Sequence, residues 1–192
     1  MALKPNLHVK PTTMNIVIII LIVIAAIVAL VIIAALIAPK GYHIRRTVEI
    51  NAPLAQVFDY ITYLKNQDHF NKWTKIDLNM KKEFRGTDGA VGSVYAWDGN
   101  KQAGKGEQEI VRIIPGKQVD IEVRFIRPMS GIMNTSMITE EIAPGKTRVT
   151  WDSQSKMKFP TNAFLLFMNM DKLLGPDLQE SLEMLKTVHE KN

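Results

Sequence analysis

The chain is 192 residues long with a formal charge of +5. Once Lys4 and Lys10 of the N-terminal head are set aside, the remainder carries 22 basic against 19 acidic residues. A balance of +3, scattered singly, leaves no electrostatic footprint for nucleic acid. The absence of cysteine excludes disulfide frameworks, thiolate zinc sites and cysteine nucleophiles.

Residues 1–13 read as a short polar tail before a transmembrane helix predicted over 14–39. From Ile16 to Ala38, 23 consecutive residues are Ile, Val, Leu or Ala. At ~1.5 Å each they reach roughly 34 Å, enough to cross a hydrocarbon core of about 30 Å. A core helix of a soluble protein needs a polar face, and this run has none. A cleaved secretory signal is the competing reading, suggested by Leu36-Ile37-Ala38. Signal apolar regions span only about 7 to 15 residues, however, and Pro39 directly after the cut disfavours cleavage. Pro39 ends the run, and Lys40, Tyr42, Arg45 and Arg46 are expected to form an interfacial collar. Lys4 and Lys10 on one flank balance Lys40, Arg45 and Arg46 on the other, so basic residues do not choose an orientation. The expected setting is a single pass through a bacterial cytoplasmic membrane, with the lipid bilayer as a partner.

Residues 40–192 make one domain of ordinary size. Tyr42, Ile44, Val48 and Ile50 alternate with Arg45, Thr47 and Glu49, predicting a half-buried strand that starts just off the membrane. Asn51-Ala52-Pro53 ends it and opens a helix with Leu54, Val57, Phe58 and Ile61 at helical spacing. A second helical stretch is predicted over Leu64 to Trp73. Six short strands follow, near 80–85, 92–98, 106–114, 118–126, 132–142 and 147–157, separated by Gly-, Pro- and Asp-rich turns. Val119, Ile121, Val123 and Phe125 form one dry face, and Val149, Trp151, Ser153 and Met157 another, so the sheet is antiparallel with one side covered. Helical spacing returns after Phe159-Pro160. Gly175-Pro176 is expected to break or kink it, leaving a terminal helix from about Pro176 to His189 that lies across the sheet.

Five segments carry a family resemblance: APLAQVFDYI at 52–61, the stretch ending at Trp73, VGSVYAWDGN at 91–100, TRVTWDSQSKM at 147–157 and GPDLQESLEMLK at 175–186. In order and spacing they resemble the START-like, helix-grip superfamily, in its polyketide cyclase and dehydratase branch, over roughly residues 42–190. The resemblance implies an α+β helix-grip fold, in which a strongly bent antiparallel sheet of about seven strands wraps a long C-terminal helix. It also implies a hydrophobic cavity that in relatives holds lipids, sterols or polyketides. Function within such a superfamily has to be argued from the site.

The candidate ligand-binding residues are Trp73, Tyr95, Trp97, Met137, Trp151, Met157 and Met168. Tyr95, Trp97 and Trp151 stand on alternating strand positions and carry polar atoms able to orient a ligand. Met133, Met137, Met157, Met168, Met170 and Met184 are flexible thioethers suited to an adaptable apolar pocket. No nucleophile–base motif, metal-ligand spacing, phosphate loop or dinucleotide fingerprint occurs, so neither a metal nor a cofactor is expected. His8, His43, His69 and His189 are isolated in sequence. Three functions stay open: a membrane-anchored module that binds or transports a hydrophobic small molecule or lipid; a cyclase or dehydratase using Tyr95 with Glu107, Glu109 or Asp68; and an interaction module that regulates another membrane protein.

Overall fold

The computed structural model describes the backbone of residues 11–191 and the side chains of 15–191; His8 and the tail up to residue 10 lie outside the described residues. The apolar run is one helix, α1 (Pro11–Ile37), which opens three residues before the expected boundary, with proline in its first turn. Its segment Asn15–Ile37 has a mean hydropathy of 3.9 and is long and apolar enough to cross a membrane. The folded domain leaves this segment uncovered except near its end, where Ala35 is buried, as is Ala38 just beyond it.

Two residues beyond Pro39 the chain enters β1 (Gly41–Ile50). Then come α2 (Leu54–Thr62), a 3₁₀ turn at Leu64–Asn66, the single turn α3 (Gln67–Phe70) and a second 3₁₀ turn at Lys72–Lys75. The one helix expected over Leu64–Trp73 is thus broken. Asn71 adopts an extended conformation, and its side chain accepts from the Trp73 N–H, a local bond that competes with helix continuation. The remaining strands are β2 (Lys81–Arg85), β3 (Val94–Asp98), β4 (Lys105–Ile114), β5 (Gln118–Arg127), β6 (Gly131–Ala143) and β7 (Lys146–Lys156). They form one seven-stranded antiparallel sheet in the order β1-β7-β6-β5-β4-β3-β2.

A 3₁₀ segment, Thr161–Leu166, precedes the closing helix α4 (Met170–Glu190). Asn169 caps α4 by accepting from the Lys172 N–H. The expected break at Gly175-Pro176 does not occur, for three reasons. Gly175 has no Cβ to clash with the following proline ring. The Lys172 carbonyl, which loses its helical donor at Pro176, belongs to an exposed residue, where water can take the donor's place. The turn ahead of the proline is fixed to the sheet, because Arg46 Nη1 and Nη2 reach Asp171 Oδ1 and Oδ2 at 2.8 and 3.0 Å. Arg46 is therefore drawn to α4 instead of standing in a collar. Arg45 turns the other way, to Asp152 on β7.

Val57 and Ile61 of α2 and Leu178, Leu182 and Leu185 of α4 pack with the sheet's inner face into one core. Fully burying a side chain of this size stabilises by roughly 1.5–3 kcal/mol.

Candidate functional site

Strand register sorts the inner face into rows. Tyr42 and Ser155, Met133, Phe125, Gly106 and Trp97 fall toward the strand ends nearest α1, and Ile50, Thr147, Thr139, Val119 and Ile110 toward the far ends. Burial falls toward the α1 end on β1, β3, β5, β6 and β7, whereas on β4 Gly106 at that end is buried and Ile113 at the other is half-buried. On β5, Val119, Ile121 and Val123 are buried while Phe125 is half-buried; on β6, Thr139, Met137 and Thr135 are buried while Met133 is half-buried. Tyr42 on β1 and Trp97 on β3 repeat the pattern against Ile44 and Tyr95. The far part of the inner face is largely a packed core, and the end nearest α1 is incompletely covered. This differs from the hydrophobic cavity that the resemblance implies, because most of the space between the sheet and α4 is filled. The difference has a cause: Phe70, Tyr95 and Trp151 are bulky and fill the middle, with Phe70 and Trp151 edge to face at 6.2 Å.

The structure brings some of the predicted ligand residues together and separates others. Trp73 packs edge-on to Trp151 at 6.2 Å, and Trp97 edge-on to Phe125 at 6.2 Å, near the uncovered end. Tyr95 and Met137 are fully buried, at 1% and 2% exposure. Met157 is half-buried just past β7, where its N–H bonds to the Lys40 carbonyl at 3.0 Å. Met168 is exposed beside Lys172 and Leu173 on the connection into α4. The polar atoms expected to orient a ligand are engaged internally instead. The Trp97 indole donates to the Ala103 carbonyl at 3.1 Å, that of Trp151 to Thr135 Oγ1 at 3.4 Å, and the Tyr95 hydroxyl to Asp68 Oδ1 at 2.8 Å.

The candidate acid–base groups divide across the sheet. Tyr95 faces inward, and burial followed by the Asp68 carboxylate pushes its hydroxyl well above the ordinary value, so it keeps its proton. Lys82 Nζ holds the same Asp68 oxygen at 2.8 Å. Glu107 and Glu109 project from the outer face of β4 to Arg124, at 2.9 and 2.7 Å. Arg85 and then Arg124 hold the Glu107 carboxyl below the usual carboxylate range. Both glutamates are thus remote from any ligand on the inner face. His43 pairs with Asp152 at 2.6 Å and His69 Nδ1 with the Tyr60 hydroxyl at 2.6 Å. His189 lines a cleft of about 480 Å³ between α2 and the end of α4, with Asp59, Tyr60, Tyr63 and Asn66, and burial lowers its pKa.

Sequence reasoning missed a polar cluster within the core. Gln67 Oε1 accepts from Asn71 Nδ2 at 2.8 Å and from Gln108 Nε2 at 3.0 Å, all three residues being buried. The available signal was Gln108 itself, which falls between Gly106 and Ile110 on the inward alternation of β4.

An antiparallel sheet whose inner face is closed along most of its length by a C-terminal helix defines the helix-grip class. The chain belongs to the family described as polyketide cyclase / dehydrase and lipid transport, whose model matches residues 42–190. No curated protein matches the sequence. Among solved structures, truncated norcoclaurine synthase from Thalictrum flavum superposes with a TM-score of 0.61 at 10% identity, covering 81% of this chain and 98% of that one. Aha1 from Colwellia psychrerythraea gives 0.54 at 16% identity, with 78% and 96% covered. The di-domain ARO/CYC BexL from the BE-7585A biosynthetic pathway gives 0.55 at 14%, covering 79% of this chain and half of that one. At these identities the likeness carries the fold alone.

Proposed function

We propose that the protein is a membrane-tethered binding module that takes an apolar molecule, an acyl chain or a polycyclic compound, into the tether end of its inner face. The observation that carries this reading is the burial gradient. Tyr42, Trp97, Phe125 and Met133 all face inward yet stay half-buried, although the inner faces of the same strands are closed two residues further along, at Ile44, Tyr95, Val123 and Thr135. An apolar surface left open inside a fold that otherwise packs to completion is what a ligand would cover, at about 25 cal/mol for each Å² removed from water. Trp73 and Met157 border the same end, and Trp151 and Met137 form its floor. The family description, which includes lipid transport, is consistent with this ligand class. So is α1, whose apolar surface no part of the domain covers before Ala35.

The cyclase or dehydratase reading has less support. Of its acids only Asp68 approaches the inner face, and there it is held by Lys82 and by a tyrosine that keeps its proton. Mass spectrometry of full-length protein drawn from membranes into lipid nanodiscs tests the binding reading. An apolar compound retained by the native chain and lost from Trp97→Ala is expected; a native chain that carries none, and gains no thermal stability from added lipid or polycyclic compounds, would refute it.

A further inference from the structure

Past Met157, the segment that joins β7 to α4 is not used by the binding reading, and its surroundings are unusual. The connection is pinned once to the last turn of α1 and once to the residues just after it. Asn162 Nδ2 donates to the Ala35 carbonyl at 2.6 Å, and the Met157 N–H to the Lys40 carbonyl at 3.0 Å. Ala35 lies three residues inside the end of the apolar run, so Asn162 sits roughly 4–5 Å below that end. On its remaining faces the segment exposes large apolar side chains: Phe159 at 58%, Phe164 at 54%, Phe167 at 83%, and Leu166 and Met168 less. Exposed apolar side chains in such density on a soluble surface mark a contact.

We propose that residues 159–168 are an in-plane lipid contact, a second attachment that seats the tether end of the domain in the headgroup and upper acyl region of the bilayer crossed by α1. This rests on the reading of α1 as a membrane span. The occupant follows from continuity, because a segment bonded alongside the last turn of a membrane helix shares that helix's depth. Charge agrees as well: Lys40, Lys156 and Lys158 flank the segment, and none has a carboxylate partner among the described residues. Phenylalanine and leucine on one side with lysine at the rim is the composition of an interfacial anchor. The consequence for function is geometric. Met157, at the rim of the open inner face, stands two residues before the segment, so a seated segment brings that opening to the lipid surface instead of the aqueous phase.

The absence of cysteine makes the test direct, since one introduced thiol carries the only label. Full-length chains with Ile24→Cys, Phe164→Cys, Phe167→Cys or Glu141→Cys are labelled with a polarity-sensitive fluorophore. They are then reconstituted into phosphatidylcholine/phosphatidylglycerol vesicles with or without brominated acyl chains. Labels at 164 and 167 should be quenched by roughly twofold or more, as for side chains about 5–10 Å into the boundary region. The label at 24 should be quenched more, and the one at 141, on the far end of the sheet, not at all. Quenching at 24 with 164 and 167 behaving like 141 overturns the lipid contact and leaves the membrane span standing. No quenching at 24 overturns both. Labels at 164 and 167 shielded from aqueous iodide but untouched by bromolipid would mean that a protein covers the segment, which also overturns the proposal.

Discussion

Met133 and Met137 allow the opening to be tested with one chemical change made twice. They lie on the same strand and the same face, four residues apart, with Met137 opposite Trp151 and Met133 opposite Ser155. Truncating either to alanine removes about three methylene equivalents, or roughly 2.4 kcal/mol of transfer free energy if all of it was buried. At Met137, 2% exposed between Val119 and Trp151, the neighbours cannot all close the void, and the total should reach about 3 kcal/mol, within the usual 2–5 for such a change. At Met133 part of the side chain already meets solvent and no sealed void forms, so about 1 kcal/mol is expected. For a domain of this size each kcal/mol moves Tm by roughly 2–4 °C, which separates the variants by about 4–8 °C in a thermal melt of the nanodisc-held protein. Retention of apolar ligand should fall in the opposite order, more for Met133→Ala than for Met137→Ala. Equal losses of stability would mean that Met133 is ordinary core, and the opening inferred from the burial gradient would not exist.

Two further outcomes follow from the ion pairs. A Cβ on Gly175 would lie 1.9 Å from Arg46 Nη2, so Gly175→Ala should destabilise by about 1–3 kcal/mol, and by less in an Arg46→Ala background, a non-additivity that a double-mutant cycle in urea reads directly. For Asp152, burial alone would raise the carboxyl, but the bonds from Arg45 and His43 outweigh it and hold the pKa below its ordinary value. The stability this carboxylate supplies is complete above its unfolded pKa of about 3.9 and is lost as pH falls through the lower folded value. Asp152→Asn should therefore lower stability at neutral pH and flatten the acid limb of the stability curve, as measured by urea midpoints from ~pH 6 down to ~pH 2.

What could be read from the residues was what alternates. The dry faces Val119-Ile121-Val123-Phe125 and Val149-Trp151-Ser153 lie on the inner side, as their period requires, and the punctuating turns fall between the strands. Strand β4 was harder. A register shift between Ile110 and Arg112 inserts a residue, so Ile113, not Arg112, falls opposite Val119, and no single alternation describes the strand. The uninterrupted α4 was illegible because Gly-Pro is a strong local breaker. What overrides it is a contact between residues 46 and 171 that no window of sequence contains. The segment before α4 misled in another way. Phe164, Leu165, Phe167 and Met168 have helical spacing, yet the chain forms a short 3₁₀ turn and then resets at the Asn169 cap. Spacing alone does not tell an amphipathic helix from apolar residues exposed for another reason.

Under the proposed lipid contact, that other reason ties α1 to the site. Three residues separate the last turn of α1 from the first residue of β1, a reach of about 10 Å at most. The antiparallel order then brings the end of β7, the start of β6 and the end of β5 to the same side as that connection. The half-buried inward residues Tyr42, Met133, Phe125 and Trp97 consequently lie toward the end of the sheet from which α1 departs. A domain tethered through a long linker would meet lipid by chance encounters in any orientation. Here the linker is too short for free rotation, and the Asn162–Ala35 bond further fixes the domain against α1, so with α1 in a bilayer as proposed the approach is set. Lengthening the connection by a flexible insert after Pro39 should leave the core intact while loosening the opening's alignment with the bilayer. Ligand loading from vesicles should then slow even where affinity for the same ligand presented in detergent is unchanged.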